Sequence, residues 1–214
     1  MNSVTSRPVI IGTDSATLSG DLIIPPGAGS IVVFAHGSGS SRHSPRNRAV
    51  AKTFEDAGLA TLLFDLLTER EEAEETFTRH HRFNIPFLSK RLVQTLRWME
   101  SDTSIPQNAI GLIGSSTGAA AALEAAAEDA RVHAVVSRGG RPDLSRKNRL
   151  VQCPVLLIVG GEDTEVLHLN EAAANQISHC QLMIVPGATH LFSEPGTLEQ
   201  AAQLARDWFL QHLG

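Results

Sequence analysis

A doubly wound α/β fold is what this sequence predicts, and three observations carry the prediction. Short apolar, β-branched runs recur along the chain with helical patterns between them, the alternation that builds a mostly parallel sheet with right-handed crossovers. Four of those runs, residues 31–35, 60–65, 109–114 and 155–159, are apolar on both faces instead of alternating, as strands covered by helices on both sides must be. The chain's 214 residues, 42% hydrophobic and 19% charged, suit one globular domain over residues 1–214.

The elements follow in order. Runs 9–12 and 18–24, separated by the turn-prone Gly12-Thr13-Asp14-Ser15, read as an antiparallel pair. Pro25-Pro26-Gly27 ends the second run, because prolines cannot donate ladder hydrogen bonds. After run 31–35 come a helical pattern at 46–57, run 60–65, a helix at 86–98, run 109–114 and a helix at 117–127. Runs 132–137, 155–159 and 181–185 complete a set of about eight strands, with a helix at 169–176. The clearest helix is Thr197–Leu213, where Leu198, Ala201, Ala202, Ala205, Trp208, Phe209 and His212 fall on one stripe. Residues 68–83 interrupt the rhythm. They are charge-dense, carry Arg79, His80, His81 and Arg82, and read either as a solvated helix or loop or as a short lid.

Composition removes several function classes. A net charge of −5 leaves no basic footprint for nucleic acid, and 5% aromatic residues with no Tyr offer little to stack on bases. No apolar run approaches the roughly 20 residues that span a bilayer. Residues 1–8 lack the apolar centre of a signal peptide. Two cysteines, Cys153 and Cys180, begin apolar runs and read as small buried hydrophobes in a reducing compartment. The expected location is the cytoplasm.

The run at 109–114 leads straight into Gly114-Ser115-Ser116-Thr117-Gly118 and then a small-residue helix. This is G-x-S-x-G in the strand–turn–helix setting of a nucleophile elbow. So sharp a turn needs small neighbours two residues either side, which Gly114 and Gly118 supply. Ser116 is therefore the candidate nucleophile, with a helix-capping serine as the bland alternative. A serine hydroxyl needs a base to take its proton. Of nine histidines, His190 follows the last strand, at the carboxyl edge of the sheet where Ser116 must also lie. An acid after the preceding strand would accept the imidazole's other N–H. Gly160-Gly161-Glu162-Asp163 offers two, and Asp163 is preferred over Glu162 because it terminates the glycine turn. The chain order Ser116, Asp163, His190 is that of one known arrangement of such triads.

The loop after run 31–35, His36-Gly37-Ser38-Gly39-Ser40-Ser41, would supply an oxyanion donor through the backbone N–H of Ser38, with Thr117 N–H as the second. His36 reads as structural. A dinucleotide-binding reading of the same loop fails: its third glycine position holds Arg42, and Asp65 lies too far along.

Taken together, these four segments resemble the α/β-hydrolase superfamily, and more narrowly the dienelactone-hydrolase-like proteins, over nearly the whole chain. The stretch from Phe34 to Arg42, with Ser44-Pro45-Arg46-Asn47, is similar to bacterial members of that group. The resemblance implies the α/β-hydrolase fold with an eight-stranded sheet, no metal or cofactor, and small ester, lactone or thioester substrates cleaved through an acyl-enzyme. One departure matters: dienelactone hydrolases carry a cysteine nucleophile where this chain has Ser116, which favours esterase-type chemistry over dienelactone itself. Acyl transfer to another acceptor, perhydrolysis, or ligand binding without catalysis are the alternatives on the same residues.

Arginines cluster around the expected site. Arg138 and Arg141 follow run 132–137 at the same sheet edge, and Arg42, Arg46, Arg79 and Arg82 lie in neighbouring loops. Guanidinium groups grip carboxylate and phosphate, so Arg138 and Arg141 are the candidates for an anionic substrate group.

Overall fold

The computed structural model describes residues 3–78 and 80–214. Its sheet has eight strands in the order β1-β2-β4-β3-β5-β6-β7-β8. Strands β1 (Thr5–Gly12) and β2 (Thr17–Ile24) form the antiparallel hairpin at one edge, and β2 pairs antiparallel with β4 (Ala60–Phe64). From β4 onward all pairings are parallel, through β3 (Ser30–Ala35), β5 (Ala109–Ser116), β6 (Val132–Gly140), β7 (Val155–Gly160) and β8 (Cys180–Val185).

The continuous apolar runs explain the layering. Along β3, Ile31, Val33 and Ala35 enter one core while Val32 and Phe34 enter the other, because successive side chains leave a strand on opposite faces. One face is covered by α3 (Ile85–Met99) and α4 (Thr117–Glu128), with residues such as Leu92, Leu96 and Leu123. The other is covered by α1 (Pro45–Asp56) and α6 (Thr197–Leu213), through Val50, Phe54, Ala201, Ala205 and Phe209. Phe54 and Phe209 meet edge to face at 5.5 Å and join those two helices.

Strand and helix bounds lie close to the expected ones, with two informative differences. The helix expected at 169–176 is α5 (Thr164–Ala174), which begins at once after Asp163 and places His168 within it. Residues 68–83 contain a real helix, α2 (Glu69–Thr78), whose mixed charges hide any apolar stripe. The two cysteines are half-buried against the core edge, not fully buried; both are free, and burial pushes each thiol up to about 11.

Strand order decides where chemistry can sit. β3 lies between β4 and β5, so the chain leaves it to one side and later returns on the other. The loops after β3 and β5 therefore flank a crevice at the carboxyl edge, the usual site of ligand binding in open α/β sheets.

Candidate active site

Ser116 ends β5 and caps α4 with φ 51° and ψ −123°, a backbone conformation that L side chains rarely adopt. Its hydroxyl makes no capping hydrogen bond, so it is not spent on the helix. The flanking glycines are required by contact. A Cβ at Gly114 would overlap the backbone of Ala119, and one at Gly118 would overlap the carbonyls of Ala35 and His36. The β5–β6 register shifts between Ser115 and Ser116, a local irregularity that helps turn the serine out of the ladder.

His190 follows β8 in a loop anchored by Phe192, which is buried and itself holds a positive φ of 53°. His190 Nδ1 lies 2.7 Å from Asp163 Oδ2. Asp163 stands at the N-cap of α5 but makes no capping bond; its carboxylate is turned to the imidazole. With Nδ1–H donated to this carboxylate, Nε2 carries the free lone pair. Glu162 is exposed. Gly160 permits the approach of the two loops, since a Cβ there would overlap the Ala188 carbonyl.

Ser116 and His190 line one cavity of about 240 Å³, together with Ser38, Ser44, Arg46 and Arg138. A larger depression of about 360 Å³ lies against β1, β2 and α1 near Arg7, Asp21 and Lys52, and none of the predicted site residues lines it.

The loop after β3 is fixed on both sides. His36 is buried; its Nδ1 lies 2.9 Å from Gly37 O and its Nε2 accepts from Leu66 N–H at 3.0 Å. Burial holds its pKa below the ordinary imidazole value, which keeps it neutral and structural. A turn closed by Ser40 N–H to Gly37 O at 3.1 Å, with Gly39 at φ 72°, presents Ser38. Here the structure differs from expectation. The Ser38 N–H donates to Thr117 Oγ1 at 3.0 Å, so one expected oxyanion donor is occupied by a neighbouring hydroxyl.

The arginines separate sharply. Arg141 does not line the cavity: both its Nε and Nη2 donate to Asp143, each at 2.8 Å, two residues away. Arg42 is held by Asp65 and Arg82 by Glu72. Arg79 lies outside the described residues. Arg138 alone among these is both buried, at 7% exposure, and part of the cavity lining. Its Nη2 donates to Asn47 Oδ1 at 2.8 Å and to Ser115 Oγ at 2.9 Å, while its enclosed Nη1 has no partner. Burial, with the nearby Arg46, pushes this guanidinium down to about 10, still charged at neutral pH.

None of the described residues of 68–83 lines that cavity, although Glu72 and Arg82 line a small neighbouring pocket with Gly37, Ser38 and Thr117. Glu75 is fully buried and accepts from the backbone N–H groups of His81 (2.7 Å) and Arg82 (3.0 Å), and Arg91 Nη2 donates to Glu71 at 2.6 Å. Sequence reasoning missed Asn47, which holds Arg138 from 91 positions away, and Ser115 as the second group that holds it. No local signal marks either role. Among the described residues, no cluster of three or more His, Cys, Asp or Glu could hold a metal ion, and no helix is long and apolar enough to cross a membrane.

Comparison with known proteins bears on the family and the fold. The family model described as the dienelactone hydrolase family matches residues 19–213. A crystal structure of a dienelactone hydrolase from Anabaena variabilis superposes with a TM-score of 0.94 at 50% identity, covering 99% of each chain. An esterase from Pyrococcus furiosus shares the fold at a TM-score of 0.78 and 18% identity, over 98% of this chain and 92% of its own. Two Mycobacterium tuberculosis proteins that carry the provisional name of phosphoribosyl transferase are 54% identical over 199 residues. That match covers 92% of this chain but only 44% of theirs, so the chain spans less than half the length of these relatives. Over residues 19–213, from the second strand to the last helix, the chain belongs to the dienelactone hydrolase family.

Proposed function

We propose that this chain is a serine hydrolase that cleaves small ester, lactone or thioester substrates through an acyl-enzyme, with Ser116 as nucleophile, His190 as base and Asp163 as its orienter. One observation carries the reading. A serine on a strained elbow, free of capping duty, shares a cavity with a histidine whose Nδ1 is committed to a carboxylate at 2.7 Å.

The chemistry follows from proton positions. His190 Nε2 takes the Ser116 proton as Oγ attacks the carbonyl carbon, and Asp163 stabilises the imidazolium. The tetrahedral oxyanion is held by Thr117 N–H and Ser38 N–H. The latter exchanges Thr117 Oγ1 for the oxyanion, a favourable trade because hydrogen bonds to an ionised acceptor are about twice as strong as neutral ones. The imidazolium then protonates the departing alkoxide or thiolate. Water, deprotonated by the same nitrogen, releases the acid. The site residues support this acyl chemistry, whatever the longer mycobacterial relatives do with the rest of their length.

Hydrolysis of p-nitrophenyl acetate and butyrate tests it. Ser116→Ala and His190→Ala are each expected to lose about 10⁴-fold or more in kcat, as removal of a triad member does. Equal turnover in wild type and variants, together with no labelling of Ser116 by a fluorophosphonate, would sink the proposal.

A further inference from the structure

The Arg138 guanidinium is charged, buried and without a counter-ion among the described residues. It donates to the amide oxygen of Asn47 and the hydroxyl of Ser115, and a second cation, Arg46, is near enough to oppose its charge. No carboxylate among the described residues lines the cavity. An unpaired buried charge is costly, and a hydrogen bond to a neutral amide oxygen or hydroxyl offsets only part of that cost. Arg46 is exposed, lines the same cavity and makes no hydrogen bond or ion pair among the described residues. It lies in the first turn of α1, a twelve-residue helix capped by Ser44, whose side chain also lines the cavity. Pro45 has no N–H and the Asn47 N–H donates to Ser44 Oγ, so this terminus offers an anion the Arg46 N–H and the helix dipole. The whole chain is acidic, at −5, so this concentration of positive charge is local and faces the proposed nucleophile.

We propose that this cavity contains a phosphate-binding subsite, formed by Arg138, Arg46 and the N-terminus of α1 with the Ser40 and Ser44 hydroxyls, and that the substrates are esters bearing a phosphate group. Two guanidinium groups and a helix N-terminus, with no acidic residue among them, match a dianion better than a single carboxylate charge. The hydroxyls and forked guanidinium donors suit its several acceptor oxygens. The position beside Ser115 puts the phosphate close to the reacting carbonyl, so the acyl or alcohol portion joining them is short. This assignment rests on the serine hydrolase reading only for its substrate, not for the binding site itself.

The test compares 1-acetylglycerol, 1-acetylglycerol 3-phosphate and O-acetylglycolate at fixed ionic strength, in wild type, Arg138→Met, Arg138→Lys and Arg46→Ala. Wild type should favour the phosphate ester over the neutral one by about tenfold or more in kcat/KM, the scale of a charge-assisted hydrogen bond. Arg138→Met should abolish the preference, Arg138→Lys should keep part of it, and Arg46→Ala should reduce it. Should the buried substitution prevent folding, Arg46→Ala alone decides, because that side chain is exposed and unbonded. Inorganic phosphate should compete with neutral-ester hydrolysis in wild type and lose that effect in Arg46→Ala. Equal rates on neutral and phosphorylated esters, a greater preference for the glycolate carboxylate, or a preference that survives loss of either arginine would overturn the proposal. Calorimetric binding of 1-acetylglycerol 3-phosphate to Ser116→Ala separates the two readings. Binding without wild-type turnover of any ester removes the hydrolase assignment and leaves the subsite standing. Turnover of neutral esters without phosphate binding does the reverse.

Discussion

Asp163 and Glu162 are adjacent acids at the end of β7, and only one of them reaches the imidazole. Asp163 bonds His190 Nδ1 at 2.7 Å while Glu162 is exposed. Replacing Asp163 by Asn is expected to lower kcat by about 10⁴-fold, because an amide no longer fixes the tautomer that leaves Nε2 basic. Glu162→Gln should leave kcat near the wild-type value, and esterase kinetics on both variants check the pair. The glycines at this scale were legible from sequence, since Gly114 and Gly118 are demanded by an elbow that any chain would need. The fate of single polar groups was not. Ser38 N–H meets Thr117 Oγ1, and Arg141 turns to Asp143, because each takes the nearest geometrically available partner. Such partners are invisible until the loops are placed.

At the scale of elements, strand and helix positions followed hydrophobic period closely, with α2 the exception. This helix has no apolar stripe to announce it; it is fastened instead by the buried Glu75 and the half-buried Glu71. Burial alone would raise the pKa of Glu71 and of Glu75. Backbone N–H donors, combined with Arg91 at Glu71 and with Thr78 and His81 at Glu75, together outweigh that largest single effect, and both carboxyls sit below their ordinary value. A depressed folded pKa means stabilisation present above the unfolded value of about 4.3 and lost as pH falls through the folded one. Residues 68–83 are therefore expected to open first in acid. Hydrogen exchange should show protection around His81 and Arg82 collapsing below about pH 4 while the β5 amides stay protected. Simultaneous loss in both regions would contradict this.

For the molecule as a whole, two apolar cores lie on opposite faces of one sheet and share its strands residue by residue. They should melt together. Phe209→Ala on one face and Leu92→Ala on the other are each expected to cost about 3–4 kcal/mol. For a chain of this size that corresponds to roughly 6–15 °C in Tm. Differential scanning calorimetry should show one transition displaced in both variants. Two separable transitions, with each variant moving only one, would mean that the faces unfold independently.

The sequence by itself determined the order of strands and helices, the two-faced sheet, the elbow serine and the loops that bring His190 and Asp163 to the same edge. These depend on local sterics and on hydrophobic period, which neighbouring residues define. Tertiary structure alone decided that Arg138 is buried with no counter-charge among the described residues, that Asn47 and Ser115 hold it, and that the described residues of 68–83 do not line the cavity. Those outcomes depend on which distant groups meet once the sheet is assembled, and on how much water remains around a charge when they do.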